Sequence, residues 1–178
     1  MSERTEPGPY FQNAIRGLDL GLFNQDLQQV FGGAEVNAVV SRQAVAAIAL
    51  LQARRDAGTL GDIVVLHIGS NGYVTAKQFD EMMQLLSGVR IVAVVNVHVP
   101  RRWEGPNNTL FDDVVKRTPN AVLVDWFSAS DPHPEIFTED GVHLQPPGRR
   151  LYAQTILTQV KAFDALLTQR QSTSRSAN

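Results

Sequence analysis

Apolar residues along the chain fall into short, nearly continuous runs separated by longer segments of mixed character. Three of these runs, at 62–69, 90–100 and 121–126, contain few polar residues, which is typical of strands buried on both faces of a parallel sheet. A fourth run at 35–40 predicts another strand. We also expect a weakly apolar first strand around 13–17.

The segments between these runs are amphipathic, with apolar residues at the three- and four-residue spacing of a helix. The first helix has Ser41 as its predicted N-cap and Gly58 as its end, because hydroxyl side chains cap helix starts and glycine terminates helices. A further helix is expected from about Asn24. The four clearer predicted helices span 41–58, 75–88, 107–119 and 146–167.

Strands that alternate with helices at this pitch predict a parallel sheet with helices on both faces. The predicted fold class is therefore α/β, a three-layer α/β/α sandwich. We assign residues 13–167 to this single domain and residues 1–12 and 168–178 to disordered tails, because both tails are polar and lack periodicity. Sheets of this kind bind ligands at the carboxyl ends of their strands.

Composition and net charge exclude several classes of function. The net charge of −2 gives no positive field that would attract nucleic acid or an anionic membrane. No apolar run approaches the ~20 residues of a membrane-spanning helix, and the polar amino terminus does not have the pattern of a signal peptide. The chain has no cysteine, which excludes disulfides, thiolate metal sites and a cysteine nucleophile.

The sequence HIGSNG at 67–72 follows the predicted strand at 62–69. One explanation is structural, since glycine and asparagine adopt the backbone conformations that tight turns require. The other is functional, since Asn71 would present a side-chain amide donor at the carboxyl edge, as an oxyanion stabiliser does. The loop has neither of the glycine patterns that bind phosphate groups.

The sequence DGVH at 140–143 places an aspartate three positions before a histidine in a stretch rich in turn formers. A turn alone would explain this spacing. In a catalytic pair, Asp140 would instead accept a hydrogen bond from Nδ1 of His143 and leave Nε2 as the base. None of the four histidines has the spacing of metal ligands, so we predict no metal and no cofactor.

Taken in order, these motifs resemble the SGNH (GDSL-type) hydrolase superfamily, and within it the SGNH domains fused to membrane O-acyltransferases. The resemblance covers about residues 36–160 and implies a flavodoxin-like fold. It implies that Asp140 and His143 are the acid and base of a catalytic triad. It also implies an oxyanion hole formed by Asn71 and the backbone N–H of Ser41. The motifs that carry it are VSRQ, VVLHIGSNG, VNVHVPRRWEGPNN, LVDW and DGVHLQPPG.

The chain departs from the superfamily at the nucleophile. The serine of the first motif is expected just after the first strand, where this chain reads Gly17-Leu18-Asp19-Leu20, with Asp19 at the serine position. No serine or threonine occurs between Thr5 and Ser41. A carboxylate is a poor nucleophile toward esters, because the adduct expels carboxylate more readily than alkoxide. Activation of water by His143 is therefore the more plausible chemistry.

Three hypotheses follow from the sequence. The first is an esterase or acyltransferase domain that acts on O-acetylated carbohydrate, outside the cytoplasm and with a membrane acyltransferase domain as partner, as the resemblance implies. The second is a module without catalytic activity that binds a glycan, an acyl group or a partner protein. The third, a nucleotide-binding sandwich, is disfavoured because the chain has no glycine-rich phosphate loop.

Overall fold

The computed structural model of the protein describes residues 41–176. Asp19 and the elements predicted at 13–17, from Asn24 and at 35–40 lie outside the described residues. In chain order the described elements are α1 (Ala44–Asp56), β1 (Ile63–His67), α2 (Ala76–Leu85), β2 (Ile91–Val95), α3 (Glu104–Lys116), β3 (Ala121–Val124), α4 (Trp126–Ser130), a 3-10 turn (Pro134–Ile136) and α5 (Pro146–Ser176).

The three described strands form a parallel sheet in the order β1-β2-β3. Ile63 pairs with Ile91 at the start of β1, and Val95 pairs with both His67 and Val124 at the other end. Because all three strands run in the same direction, the residues that follow them emerge at one edge of the sheet. In the sequence, the predicted site residues lie in segments that follow predicted strands, and they are therefore expected at this carboxyl edge.

Alternate strand residues contribute to two apolar clusters, one on each face of the sheet. Val64, Leu66, Val92 and Val94 belong to the cluster that includes α1, α2 and α3. Ile63, Val65, Ile91, Ala93 and Val95 belong to the cluster that includes α5. The fold is therefore the predicted three-layer α/β/α sandwich with its core on both faces of the sheet.

Strand β2 ends at Val95, five residues before the end of its apolar run. Beyond it, the side chain of Asn108 bonds both backbone groups of Val97, donating to its carbonyl at 2.8 Å and accepting from its N–H at 2.8 Å. The carboxylate of Glu104 accepts from the N–H of Val99 at 2.6 Å. Side chains from α3 thus replace strand hydrogen bonds here, which the apolar pattern does not reveal.

One predicted helix start and one predicted helix end differ from the structure. Helix α1 begins at Ala44 with Gln43 at the N-cap, so the predicted N-cap at Ser41 is wrong. Ser41 has a φ of 57°, in the left-handed region, whereas an N-cap residue is extended. Helix α5 continues from Leu167 to Ser176 because this segment contains no glycine or proline to end it. None of the described helices is both long and apolar enough to cross a membrane.

Candidate active site

The loop after β1 carries the predicted oxyanion residue Asn71, and a buried asparagine holds this loop in place. Asn107, 1 % exposed, donates to the carbonyls of Gly69 and Gly72 at 3.0 and 2.9 Å and accepts from the N–H of Val74 at 2.9 Å. Gly69 has a φ of 100°, and a Cβ there would lie 2.8 Å from Nδ2 of Asn107. Glycine at position 69 is therefore required by both backbone conformation and space.

A second set of contacts holds Ser70 of the same loop. Its hydroxyl lies 3.1 Å from Nε2 of His67, whose Nδ1 lies 2.6 Å from the Tyr152 hydroxyl. Burial lowers the pKa of His67 to about 4, so the imidazole is neutral at pH 7. Since O–H donors make shorter bonds than N–H donors, the two distances favour donation from Tyr152 to Nδ1 and from Nε2–H to Ser70.

Ser41 and Asn71, the two predicted oxyanion donors, are linked by one side chain. Nε2 of Gln43 donates to the carbonyl of Asn71 at 3.1 Å and to the carbonyl of Ser41 at 3.4 Å. The sequence did not indicate this role for Gln43. The link places the start of α1 beside the loop that follows β1, so the predicted donors lie at the same part of the carboxyl edge.

The loop that carries His143 packs against the segment that follows β2. It is closed by an antiparallel bridge between Phe137 and Leu144. Gly141 has a φ of 68°, and a Cβ there would lie 3.1 Å from Cγ of Pro100. Val142 packs against the apolar cluster of α1, α2 and α3. These contacts fix the DGVH sequence at the carboxyl edge.

Asp140 and His143 are in direct contact. Oδ2 of Asp140 lies 2.5 Å from Nδ1 of His143, while Oδ1 accepts from the Thr138 hydroxyl at 2.7 Å and from the N–H groups of Val142 and His143 at 2.9 and 3.0 Å. The Thr138 hydroxyl and the His143 imidazole, followed by the two backbone donors, hold the pKa of Asp140 well below its usual range. An ionised Asp140 keeps the proton on Nδ1 and leaves Nε2 as the basic nitrogen.

The imidazole of His143 is accessible to a substrate, since its side chain is 65 % exposed. The structure thus brings together Asp140 with His143 and, separately, Ser41 with Asn71. The convergence of Asn71 and His143 on one cleft stays a prediction, and Asp19 lies outside the described residues.

The remaining histidines are engaged elsewhere. Nδ1 of His98 lies 2.7 Å from the hydroxyl of the buried Ser130, and Nδ1 of His133 lies 3.1 Å from Glu135 at the surface. Within residues 41–176, no three histidine, aspartate or glutamate side chains are grouped as a metal site requires.

Sequence reasoning missed the residues that position the site. Asn107, Gln43, the half-buried His67 and the buried Tyr152 hold the loop after β1. The first three stand in the motifs named above, but the sequence predicted no role for any of the four. Asn107 and Asn108 did offer a signal, because asparagine is unfavourable inside a helix unless its side chain has a specific partner.

Comparison with known proteins finds relatives that are named as O-acetyltransferases. The chain is 34% identical over 125 residues to the O-acetyltransferase OatA of Staphylococcus aureus, and this match covers 70% of the chain. It is 33% identical over 136 residues, or 76% of the chain, to YrhL of Bacillus subtilis, a candidate peptidoglycan O-acetyltransferase. The matched part is 21% of each relative, so the chain spans about a fifth of their length. No family model matches the chain.

Solved structures agree on the fold. The C-terminal catalytic domain of peptidoglycan O-acetyltransferase A from Streptococcus pneumoniae matches 84% of this chain and 91% of its own, with a TM-score of 0.73 and 23% identity. A Veillonella parvula member of the lipolytic G-D-S-L family matches 82% of this chain and 95% of its own, with a TM-score of 0.59 and 15% identity.

The chain is thus similar to O-acetyltransferases in sequence and to GDSL-type hydrolases in fold, which supports the resemblance that the motifs carry. The described part of the chain has the flavodoxin-like sandwich that the motifs implied, with its parallel sheet between helical layers. The Asp140–His143 contact lies in the loop immediately before α5, the last described helix.

Proposed function

We propose that this chain is an SGNH domain that hydrolyses or transfers O-acetyl groups on carbohydrate, with His143 as the base and Asp140 as the group that orients it. The observation that carries the proposal is the 2.5 Å contact between Asp140 and Nδ1 of an exposed His143. Asp140 already accepts hydrogen bonds from three other donors, so its ionised carboxylate is stabilised without the imidazole. The contact is better explained by the requirement for a fixed imidazole.

The proposed reaction begins with proton transfer from a hydroxyl group to Nε2 of His143. The oxygen of that hydroxyl then attacks the acetyl carbonyl carbon. The resulting oxyanion accepts hydrogen bonds from the side-chain amide of Asn71 and the backbone N–H of Ser41. When the ester C–O bond breaks, the imidazolium returns the proton to the departing sugar oxygen. Water as the attacking molecule releases acetate, whereas a sugar hydroxyl gives transfer.

The backbone at Ser41 supports its part in this proposal. A φ of 57° at a non-glycine residue costs about 1–2 kcal/mol relative to a right-handed conformation. Residues in strained conformations occur preferentially at functional sites, where the surrounding structure holds them. Gln43 provides such a restraint by bonding the carbonyl of Ser41.

In the proposed reaction the attacking hydroxyl belongs to a bound molecule, either water or a sugar, and not to the protein. Ser70 is unsuited to be the nucleophile, because the favoured tautomer of His67 donates to its hydroxyl and cannot accept its proton. Asp19 stands at the expected serine position but would form an adduct that mostly reverts. Serine proteases that lack one triad member retain about 10³–10⁴-fold catalysis over water, so we expect slow turnover.

The substrate is inferred from the relatives. OatA of Staphylococcus aureus is named an O-acetyltransferase, and the similar domain from Streptococcus pneumoniae is described as acting in peptidoglycan O-acetylation. We extend this to an acetylated cell-wall or surface polysaccharide, to action outside the cytoplasm and to a membrane acyltransferase domain as the partner.

A second candidate function is a module that binds the glycan or a partner without chemistry. The specific observation in its favour is the absence of any serine or threonine between Thr5 and Ser41, where the superfamily nucleophile is expected. The two candidates differ in whether His143 is needed for turnover, and that difference is measurable.

The test is hydrolysis of p-nitrophenyl acetate and of an O-acetylated chito-oligosaccharide by the wild type, His143→Ala, Asp140→Asn and Asp19→Ser. The matched control is His133→Ala, which removes an exposed histidine that also contacts a carboxylate. Wild-type turnover lost in His143→Ala and kept in His133→Ala supports the enzyme. Absence of wild-type turnover, with activity appearing in Asp19→Ser, supports the binding module.

A further inference from the structure

Tyr73 is one of the few large apolar side chains that the described part of the chain exposes to solvent. It is 53 % exposed and lies two residues after Asn71, at the edge of the proposed site. Burial of an aromatic side chain is favourable, so an exposed ring beside a proposed active site calls for an explanation. Isolated exposed residues are ordinary on protein surfaces, and Tyr73 differs from them in how it is held.

The backbone on both sides of Tyr73 is fixed by one buried side chain. Asn107 donates to the carbonyl of Gly72 at 2.9 Å and accepts from the N–H of Val74 at 2.9 Å. The side chain of Val74 is itself buried. Tyr73 thus projects from a restrained backbone, and a ligand that contacts its ring orders little additional chain.

Trp103 supports the ring of Tyr73 from one side. The two ring centroids lie 6.1 Å apart with an interplanar angle of 63°, the edge-to-face arrangement that aromatic pairs favour. Trp103 is held in turn, because its indole N–H donates to the carbonyl of Ser70 at 3.3 Å and its ring packs on the apolar cluster of α1, α2 and α3. The pair forms a small aromatic surface next to the loop of Asn71.

We propose that Tyr73, supported by Trp103, is a sugar-binding subsite that stacks on a pyranose ring of the glycan next to the acetylated residue. This inference rests on the proposed function and adds the residues that recognise the carbohydrate. The axial C–H groups on one face of a pyranose carry partial positive charge and contact the negative face of an aromatic ring favourably. Asn71 lies two residues before Tyr73, and Oε1 of Gln43 would lie 3.2 Å from a Cβ at Gly72, so polar groups that suit the hydroxyl and amide groups of such a sugar lie in the adjoining loop.

The size of the surface favours a sugar over an apolar partner. The surface consists of only two aromatic rings, those of Tyr73 and the partly buried Trp103. A stable protein interface needs roughly 800 Å² from each partner, well beyond two rings. The subsite is also continuous with the proposed catalytic edge, where the acetylated sugar itself would bind.

The test measures binding without requiring catalysis. Tetra-N-acetylchitotetraose is titrated into the full chain while tryptophan fluorescence is recorded. The chain has two tryptophans, and Trp126 is 3 % exposed, so the partly exposed Trp103 reports on the subsite. The variants are Tyr73→Ala and Tyr73→Trp, and the control is Leu166→Ala on α5, which removes a similarly exposed apolar residue.

We expect Tyr73→Ala to weaken binding by about fivefold to tenfold, the loss of one aromatic contact. Tyr73→Trp and Leu166→Ala should bind within about twofold of the wild type, because each keeps an aromatic ring at position 73. Equal affinities for the wild type and Tyr73→Ala would overturn the subsite, as would no saturable binding by the wild type.

The outcomes also separate this inference from the proposed function. Binding that depends on Tyr73, in a protein without esterase activity, supports the subsite and contradicts the enzyme. If turnover depends on His143, Tyr73→Ala should raise KM for the acetylated oligosaccharide, whereas Leu166→Ala should leave it unchanged. His143-dependent turnover with an unchanged KM for the oligosaccharide in Tyr73→Ala supports the enzyme and contradicts the subsite.

Discussion

We predict that His67 makes the stability of the folded protein sensitive to mild acid, although it lies outside the proposed catalytic groups. Burial lowers its pKa from 6.5 to about 4, and its two ring nitrogens lie within hydrogen-bond distance of Tyr152 and Ser70. The unfolded chain therefore binds a proton at pH 5 that the folded protein does not. Because the unfolded state binds more protons, the stability associated with His67 falls as the pH is lowered through the window from 6.5 to 4.

The size of the effect follows from the two pKa values. With 6.5 in the unfolded state and 4 in the folded state, linkage gives a loss in the free energy of unfolding of about 2 kcal/mol between pH 7 and pH 5, reaching about 3 kcal/mol by pH 4. Asp140 has a lowered pKa, so its stabilising contribution is present above pH 3.8 and is lost only below that value. The two effects therefore occupy different pH ranges.

The assay is urea unfolding followed by circular dichroism at pH 7, 5.5 and 4.5 for the wild type and His67→Gln. The variant lacks the titrating group, so the difference between the two pH profiles isolates His67 from every other group. We expect the wild type to lose stability more steeply. Parallel profiles for the two proteins would refute the reasoning, and so would an NMR titration of the His67 ring with a midpoint near 6.5.

Three further predictions concern the loops of the carboxyl edge. Asn107→Ala should lower the free energy of unfolding by about 2–3 kcal/mol, measured by urea unfolding, because it leaves buried backbone groups without partners. Gly141→Ala should cost about 1–2 kcal/mol in the same assay and lower esterase activity, because alanine disfavours a φ of 68° and its Cβ would press on Pro100. An unchanged stability in either variant would contradict the role assigned to that residue. Asp140→Asn should lower acetyl-ester hydrolysis toward the rate of His143→Ala, by up to the roughly 10²-fold that a general base contributes, because the amide no longer fixes the His143 tautomer, and full activity would exclude the pair as the base.

The fold could be predicted because buried parallel strands have a simple sequence pattern. The apolar runs at 62–69, 90–100 and 121–126 each contain an observed strand, and the four clearer predicted helices all occur. The boundaries were less accurate, since side chains from α3, the next helix along the chain, replace the strand hydrogen bonds beyond β2, and a left-handed residue precedes α1. Such contacts depend on which segments pack together in the folded chain, and the local apolar pattern does not indicate them.

The pairing of Asp140 with His143 was the part of the site that local sequence best specified. A turn that brings residues three positions apart into contact needs no distant element, and its glycine is visible in the sequence. The loop after β1 was different. Its shape depends on Asn107, 38 residues after Gly69, and that contact exists only because α3 packs beside the loop.

The sequence by itself thus determined the layer order, the direction of the strands and the Asp140–His143 pair, because each follows from periodicity or from a turn. Only the tertiary structure decided that His67 contacts the hydroxyl of the buried Tyr152 and that Tyr73 stands exposed two residues after Asn71. Burial and exposure of single polar or aromatic residues depend on what surrounds them in space. Those surroundings are made by chain segments far apart in sequence.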